Sequence, residues 1–149
     1  MSQKLTMEGN TILNSVIRKI HGAFPTIDIY SELINQGCDY PYFMVLCEDF
    51  SQKKLMRGNY LQSFIISVLY QYKELPETSY TDSNGIGYKL SDILELITLP
   101  NGDLLRGTDI NWYPDNQKLE FYINYNIKVA REKELVPKQM TNKVNVYKK

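Results

Sequence analysis

The chain has 149 residues, the size of one domain, and its 43% hydrophobic content suffices for a core, while 23% charged residues set it apart from a disordered tail or a fibrous repeat. Its 17 basic and 17 acidic residues cancel, which argues against a dedicated nucleic-acid or membrane-surface binder, because such proteins rely on surplus Lys and Arg. The balance conceals a split: residues 1–130 carry 11 basic and 15 acidic side chains, net −4, and residues 131–149 carry 6 basic and 2 acidic, net +4.

The opening MSQKLTMEGN lacks a basic stretch followed by an apolar one, so no secretory signal is expected and the chain is placed in a cytoplasm. Between Thr11 and Ala23 the residues Ile12, Leu13, Val16, Ile17 and Ile20 recur at helical spacing, which predicts an amphipathic helix stopped by Gly22 and Pro25. A short strand over Thr26–Ser31 follows. Tyr40–Glu48 and Asn59–Tyr72 read as two long strands, and the second places Tyr60, Phe64, Ile66, Val68, Tyr70 and Tyr72 on one side. The intervening SQKKLMRGN is polar and basic, as expected of an exposed hairpin loop. Phe64–Tyr70, broken by Ser67, is the longest strongly apolar run and falls far short of the roughly 20 residues a membrane helix needs.

Lys73–Ser83 reads as a loop ending at a helix cap. A second helix is then predicted from the stripe Ile86, Leu90, Ile93, Leu94 and Ile97, ended by Pro100-Asn101-Gly102. In Lys118–Val129 the odd positions Leu119, Phe121, Ile123, Tyr125, Ile127 and Val129 are apolar. The even positions are Lys118, Glu120, Tyr122, Asn124, Asn126 and Lys128, so one face is buried and the other is wet or at an interface. Leu104–Tyr113 pairs with this strand across Pro114-Asp115-Asn116-Gln117. The predicted class is α+β in the order α-β-β-β-α-β-β, a mostly antiparallel sheet of about five strands covered on its apolar face by two helices. Residues 1–130 form one domain, and residues 131–149, with Pro137 and few core-type side chains, form a basic arm.

Candidate chemistry is sparse. His21, the only histidine, sits at the end of the first helix, where a partly positive imidazole is favoured for structural reasons. Cys38 and Cys47 form no CxxC pair and have no nearby histidine, so they read as reduced, partly buried thiols, not zinc ligands. Gly102–Thr108 lacks the lysine of a phosphate loop, and Asp82-Ser83-Asn84-Gly85 lacks the acidic twelfth position of a calcium loop, which Ile93 occupies. No catalytic residue, metal site or cofactor is therefore predicted. The 12 tyrosines leave a single-stranded nucleic-acid platform as an alternative, but no basic residues interleave with them, and protein binding is favoured.

The segments TILNSVIRKI, MRGNYLQSFIISVLYQY and above all GDLLRGTDINWYPDNQKLEFYINYNIKV resemble the small tail-terminator, or tail-completion, proteins of phages and phage-like contractile particles of Gram-positive bacteria, over about Thr11–Val129. LLRGTD followed by FYINYN is the most specific part of the likeness, and the basic arm after Arg131 departs from the shorter members. The resemblance implies a structural, non-enzymatic α+β subunit that assembles in the bacterial cytoplasm into a virion or a bacteriocin-like particle. There it closes into a hexameric ring on the head-proximal end of the tail tube and stops tube and sheath growth. Implied partners are its own copies, the tail tube protein, the tail sheath protein and a head-completion or collar protein, with no membrane and no sequence-specific nucleic acid. Another tail or connector subunit is the alternative within the same particle.

The candidate partner-binding residues are Lys53, Lys54 and Arg57 in the polar loop, Arg106 and Asp109 in LLRGTD, Tyr122 on the wet strand face, and Lys143 and Tyr147 in the arm. The loop is expected to reach axially toward the last tube ring. Lys143-Val-Asn-Val-Tyr147 alternates polar and apolar residues as a strand added to another protein's sheet edge does.

Overall fold

The computed structural model describes residues 3–31, 40–72, 79–115 and 117–130. Helix α1 spans Gln3–Ala23 and its Ile12, Val16 and Ile20 are fully buried, as their spacing predicts. The helix starts at Gln3, eight residues before the Thr11 from which the apolar spacing predicted it. It also runs through Gly22, which takes no left-handed conformation; the amide of Phe24 closes on the Ile20 carbonyl at 2.8 Å, and Pro25 then ends the helix.

Strand β1 (Asp28–Tyr30) lies parallel to the start of β2 (Tyr42–Lys54), and β2 turns through a short 3-10 segment (Met56–Gly58) into β3 (Asn59–Gln71). Helix α2 (Ser79–Leu94) then carries the chain across to β4 (Leu96–Thr98), β5 (Leu104–Pro114) and β6 (Lys118–Ala130). The strand order is β1-β2-β3-β6-β5-β4, and every pairing except β1 with β2 is antiparallel. The sheet thus has six strands where about five were expected.

The additional strand is β4. Ile97, read from the sequence as the end of the second helix's stripe, belongs to β4, because the helix stops at Leu94 and Leu96-Ile97-Thr98 pairs with Leu104–Arg106. The Tyr125 hydroxyl enforces the stop by donating to the Leu94 carbonyl at 2.6 Å, one of the last-turn carbonyls that no helical amide can reach. Helix α2 begins at Ser79, so Asp82 lies in its first turn and not at its cap.

The polar segment after β2 also differs from the expected loop. Ser51–Lys54 continue the strand, with Lys53 opposite Leu61 and Lys54 opposite Tyr60, and the chain reverses only at Leu55–Gly58. Arg57 and Gly58 take φ of 61° and 75°, and the Leu55 amide donates to the Asn59 carbonyl at 2.7 Å to close the turn. Polar residues on both sides concealed this strand because the outer half of β2 is exposed on both faces.

The core lies between the helices and one sheet face, where Val68, Ile66 and Phe64 of β3 stand opposite Phe121, Ile123 and Tyr125 of β6. Leu119, Phe121, Ile123 and Tyr125 are fully buried while Asn126 and Lys128 are exposed, so the register read from the alternation of β6 is the observed one. Two glycines permit close approaches, one between neighbouring strands and one between helix and sheet. A Cβ at Gly107 would lie 2.8 Å from Ile123 Cγ1 and nearer still to Cδ1, and a Cβ at Gly87 of α2 would lie 2.6 Å from the Trp112 indole nitrogen. At the β5–β6 turn the Asp115 carboxylate accepts the amides of Gln117 at 2.7 Å and Lys118 at 2.9 Å, the local chemistry that suits Asp to turns.

Candidate functional site

The sheet face turned away from the helices is set by the same alternation that builds the core. With Phe43, Val45, Ile66, Val68, Phe121 and Ile123 pointing inward, the intervening residues form a grid: Met44, Leu69 and Glu120 in one row, Leu46, Ser67 and Tyr122 in the next. They line a shallow groove of about 110 Å³, with Glu48 at its edge. The Ser67 hydroxyl donates to the Glu48 carboxylate at 2.8 Å and fixes its position. Glu120 pairs with Lys118 at 3.3 Å. Partial burial pushes the Tyr122 hydroxyl above its ordinary pKa, and the neighbouring carboxylates of Glu120 and Glu48 add to the shift. The groove is therefore an apolar floor with a negative rim.

About 20 Å away along the same strands, counting from Ser67 to Leu61 at the usual rise per residue, the ribbon reaches its basic tip. Lys53, Lys54 and Arg57 are exposed there, as is Lys128 across the sheet beside Leu61. None of these four has an ion-pair partner among the described residues. Met56, at the apex, is 76% exposed, the highest value among the large apolar side chains of the described residues.

The sequence-predicted residues separate as follows. Lys53, Lys54 and Arg57 do form one cluster, though on a strand and turn instead of a loop. Arg106 is held by Glu95 at 3.1 Å, an exposed tie between β5 and the end of α2. Asp109 sits in a bulge between Thr108 and Asn111 with φ of 53°, and its carboxylate accepts a weak hydrogen bond from Asn124 at 3.4 Å. Tyr122 lines the groove and meets Tyr113 edge-on at 6.0 Å. Lys143, Tyr147 and the rest of the arm lie outside the described residues, as does Cys38.

Met44, Leu46, Glu48, Leu69 and Glu120 were not singled out from the sequence. A signal existed: YFMVLC and IISVLY are apolar at odd and even positions alike, the mark of strands covered on both faces. Cys47 is a free thiol, more exposed than the sequence suggests, because it stands at the bulge of β2 beyond the reach of β1. Its Sγ contacts the Asp49 carbonyl at 3.5 Å, and partial desolvation raises its pKa. His21 is exposed on the last turn of α1.

A wider hollow of about 370 Å³ separates α1 from the turn after β4 and is lined by Ser15, Arg18, Lys19, Thr98, Leu99 and Pro100. The Ser15 hydroxyl there is occupied, donating to the Thr11 carbonyl at 2.9 Å. Among the described residues no group of three or more His, Cys, Asp or Glu is arranged to hold a metal ion. Among the same residues no helix is long and apolar enough to cross a membrane.

A shallow groove, a charged strand end and a face of alternating polar and aromatic residues are features that protein-contact surfaces share. The family described as phage tail terminator protein matches residues 11–137, and the chain belongs to that family. It is a tail structural protein, associated with a virion or phage-like particle. A chain in the solved structure titled "Virion of native gene transfer agent (GTA) particle" shares the fold, with a TM-score of 0.55 and 12% identity over 81% of this chain and 97% of that one. No curated protein matches the sequence.

Proposed function

We propose that the protein closes into a hexameric ring on the head-proximal end of a tail tube, stops the growth of tube and sheath, and offers its outer surface to a head-completion or collar protein. The family match over residues 11–137 carries this reading. Its role is mechanical and not catalytic: the one histidine lies exposed at a helix end, far in the chain from any clustered nucleophile. Ring closure requires two different surfaces on each copy that meet head to tail. The acid-rimmed groove and the basic ribbon tip are two such surfaces. The basic arm, residues 131–149, lies along a neighbouring copy or the adjoining sheath, where its net +4 meets a body of net −4. Glu48 and Glu120 beside Tyr122 weigh against a nucleic-acid platform, since carboxylates repel phosphate where a binder places Lys or Arg.

Light scattering of the purified protein, followed by negative-stain imaging, tests this. The proposal predicts a small closed ring. Long tubes would assign the chain to the tube itself, and a monomer that binds oligonucleotides would assign it to a different class altogether.

A further inference from the structure

The groove and the ribbon tip complement each other in charge and shape. The groove has an apolar floor of Met44, Leu46, Leu69 and Tyr122 and a rim of Glu48 and Glu120; Lys118 pairs with Glu120 at 3.3 Å, which leaves the rim net negative through the second carboxylate. At about 110 Å³ it is well below the ~300–1,000 Å³ typical of pockets for cofactors and drug-sized ligands, and suits a single unbranched side chain. The tip presents one such side chain, Met56, 76% exposed. Positive charge surrounds it: Lys53 and Lys54 alternate to the two faces of the ribbon, and Arg57 follows in the turn. The turn itself is formed by two successive residues at positive φ and closed by the Leu55–Asn59 hydrogen bond.

The two surfaces cannot meet within one chain. Both belong to the continuous strands β2 and β3, so bringing the tip onto the groove would require breaking the ladder between them. A second copy meets no such obstacle.

We propose that Met56 of one copy enters the groove of the next, with Lys53, Lys54 and Arg57 facing Glu48 and Glu120, and that this contact is the head-to-tail joint between subunits. The inference rests on the ring reading above and specifies its interface. It also reassigns the basic tip, expected from the sequence to meet the tube, to a neighbouring subunit. Each copy gives one tip and receives one, as a heterologous joint that closes by rotation requires.

Sedimentation of full-length variants tests the joint. Reversing the tip (Lys53→Glu, Lys54→Glu, Arg57→Glu) or the rim (Glu48→Lys, Glu120→Lys) should weaken self-association about tenfold or more, with the melting temperature kept. Met56→Asp, a change confined to an exposed turn, should do the same. An equimolar mixture of the tip-reversed and rim-reversed chains should reassemble, because each altered surface now complements the other. If wild type assembles and the tip-reversed chain assembles equally well, the joint is wrong while the ring stands. A tip-reversed chain that forms normal rings yet fails to arrest tubes would give the tip to the tube and overturn the joint. A wild type that stays monomeric on tails as well as in solution would remove the ring reading and the joint together.

Discussion

Gly107 stands in the middle of LLRGTD, and its contacts explain why a glycine suits that position. It is buried, its amide donates to the Glu95 carbonyl at 2.7 Å, and the position of its missing Cβ is already taken by Ile123. In Gly107→Ala the new methyl would stand 2.8 Å from Ile123 Cγ1 and 3.0 Å from Tyr125 Cε1. Ile123 and Tyr125 are both fully buried, so neither can swing into solvent to make room. Overpacking of this kind costs about 1–3 kcal/mol, offset by the roughly 0.5–1 kcal/mol that alanine gains over glycine inside a strand. The net loss, up to about 2.5 kcal/mol and in the upper part of that range because neither neighbour can move into solvent, lowers the melting temperature of a domain this size by several degrees. Calorimetry or thermal circular dichroism reads the shift. Ile123→Val removes the nearest methyl, so the double variant should be more stable than the two single losses added together. A Gly107→Ala protein that melts at or above the wild-type temperature would refute the close approach of β5 and β6 at this point.

Other expectations follow from the same packing. Phe121, fully buried and stacked on Trp112 at 6.1 Å, should cost about 3–5 kcal/mol on truncation to Ala, read by urea unfolding; an unchanged midpoint would mean that the strand faces the other way. Tyr125→Phe leaves the Leu94 carbonyl without its donor and should cost about 1–3 kcal/mol. Burial also holds the Tyr125 hydroxyl well above its ordinary pKa, so the folded state keeps the proton when the unfolded state gives it up above pH ~10. Stability from this residue is thus complete below pH ~10 and declines as the pH rises beyond it, and Tyr125→Phe should flatten that alkaline decline in a pH series of unfolding curves. Deleting residues 134–149 should leave the melting temperature of the body unchanged and weaken retention on tails, measured by pelleting; full retention would deny the arm that role.

The strands that carry a run of apolar side chains were legible from the sequence, and the short β4 and the polar outer half of β2 were not. β6 alternates strictly because one of its faces packs under helices, and the observed register is the one its pattern prescribes. β4 has three residues, contiguous with a helix whose stripe continues in phase through Ile97, so periodicity alone merged the two. The outer half of β2 is polar and exposed on both sides, and it therefore resembled a loop. The basic tip was found because charge and turn residues coincide there. The groove was not legible because YFMVLC and IISVLY are apolar at odd and even positions alike, so their pattern does not say which side chains face the helices; the pairing of β2, β3 and β6 places Met44, Leu46 and Leu69 on the far face. Arg106, picked from the same motif as Gly107, turned out to be tied to Glu95, a partner that only the unforeseen β4 turn brings near.

The claim that the protein terminates tails is tested most directly by the lengths of tails made without it. Particles produced from a genome lacking this chain, and from the same genome with the chain restored, are purified and their tails measured by electron microscopy. Termination predicts tubes of broad and excessive length in its absence and one sharp length when it is supplied. A single normal length in both preparations would contradict it.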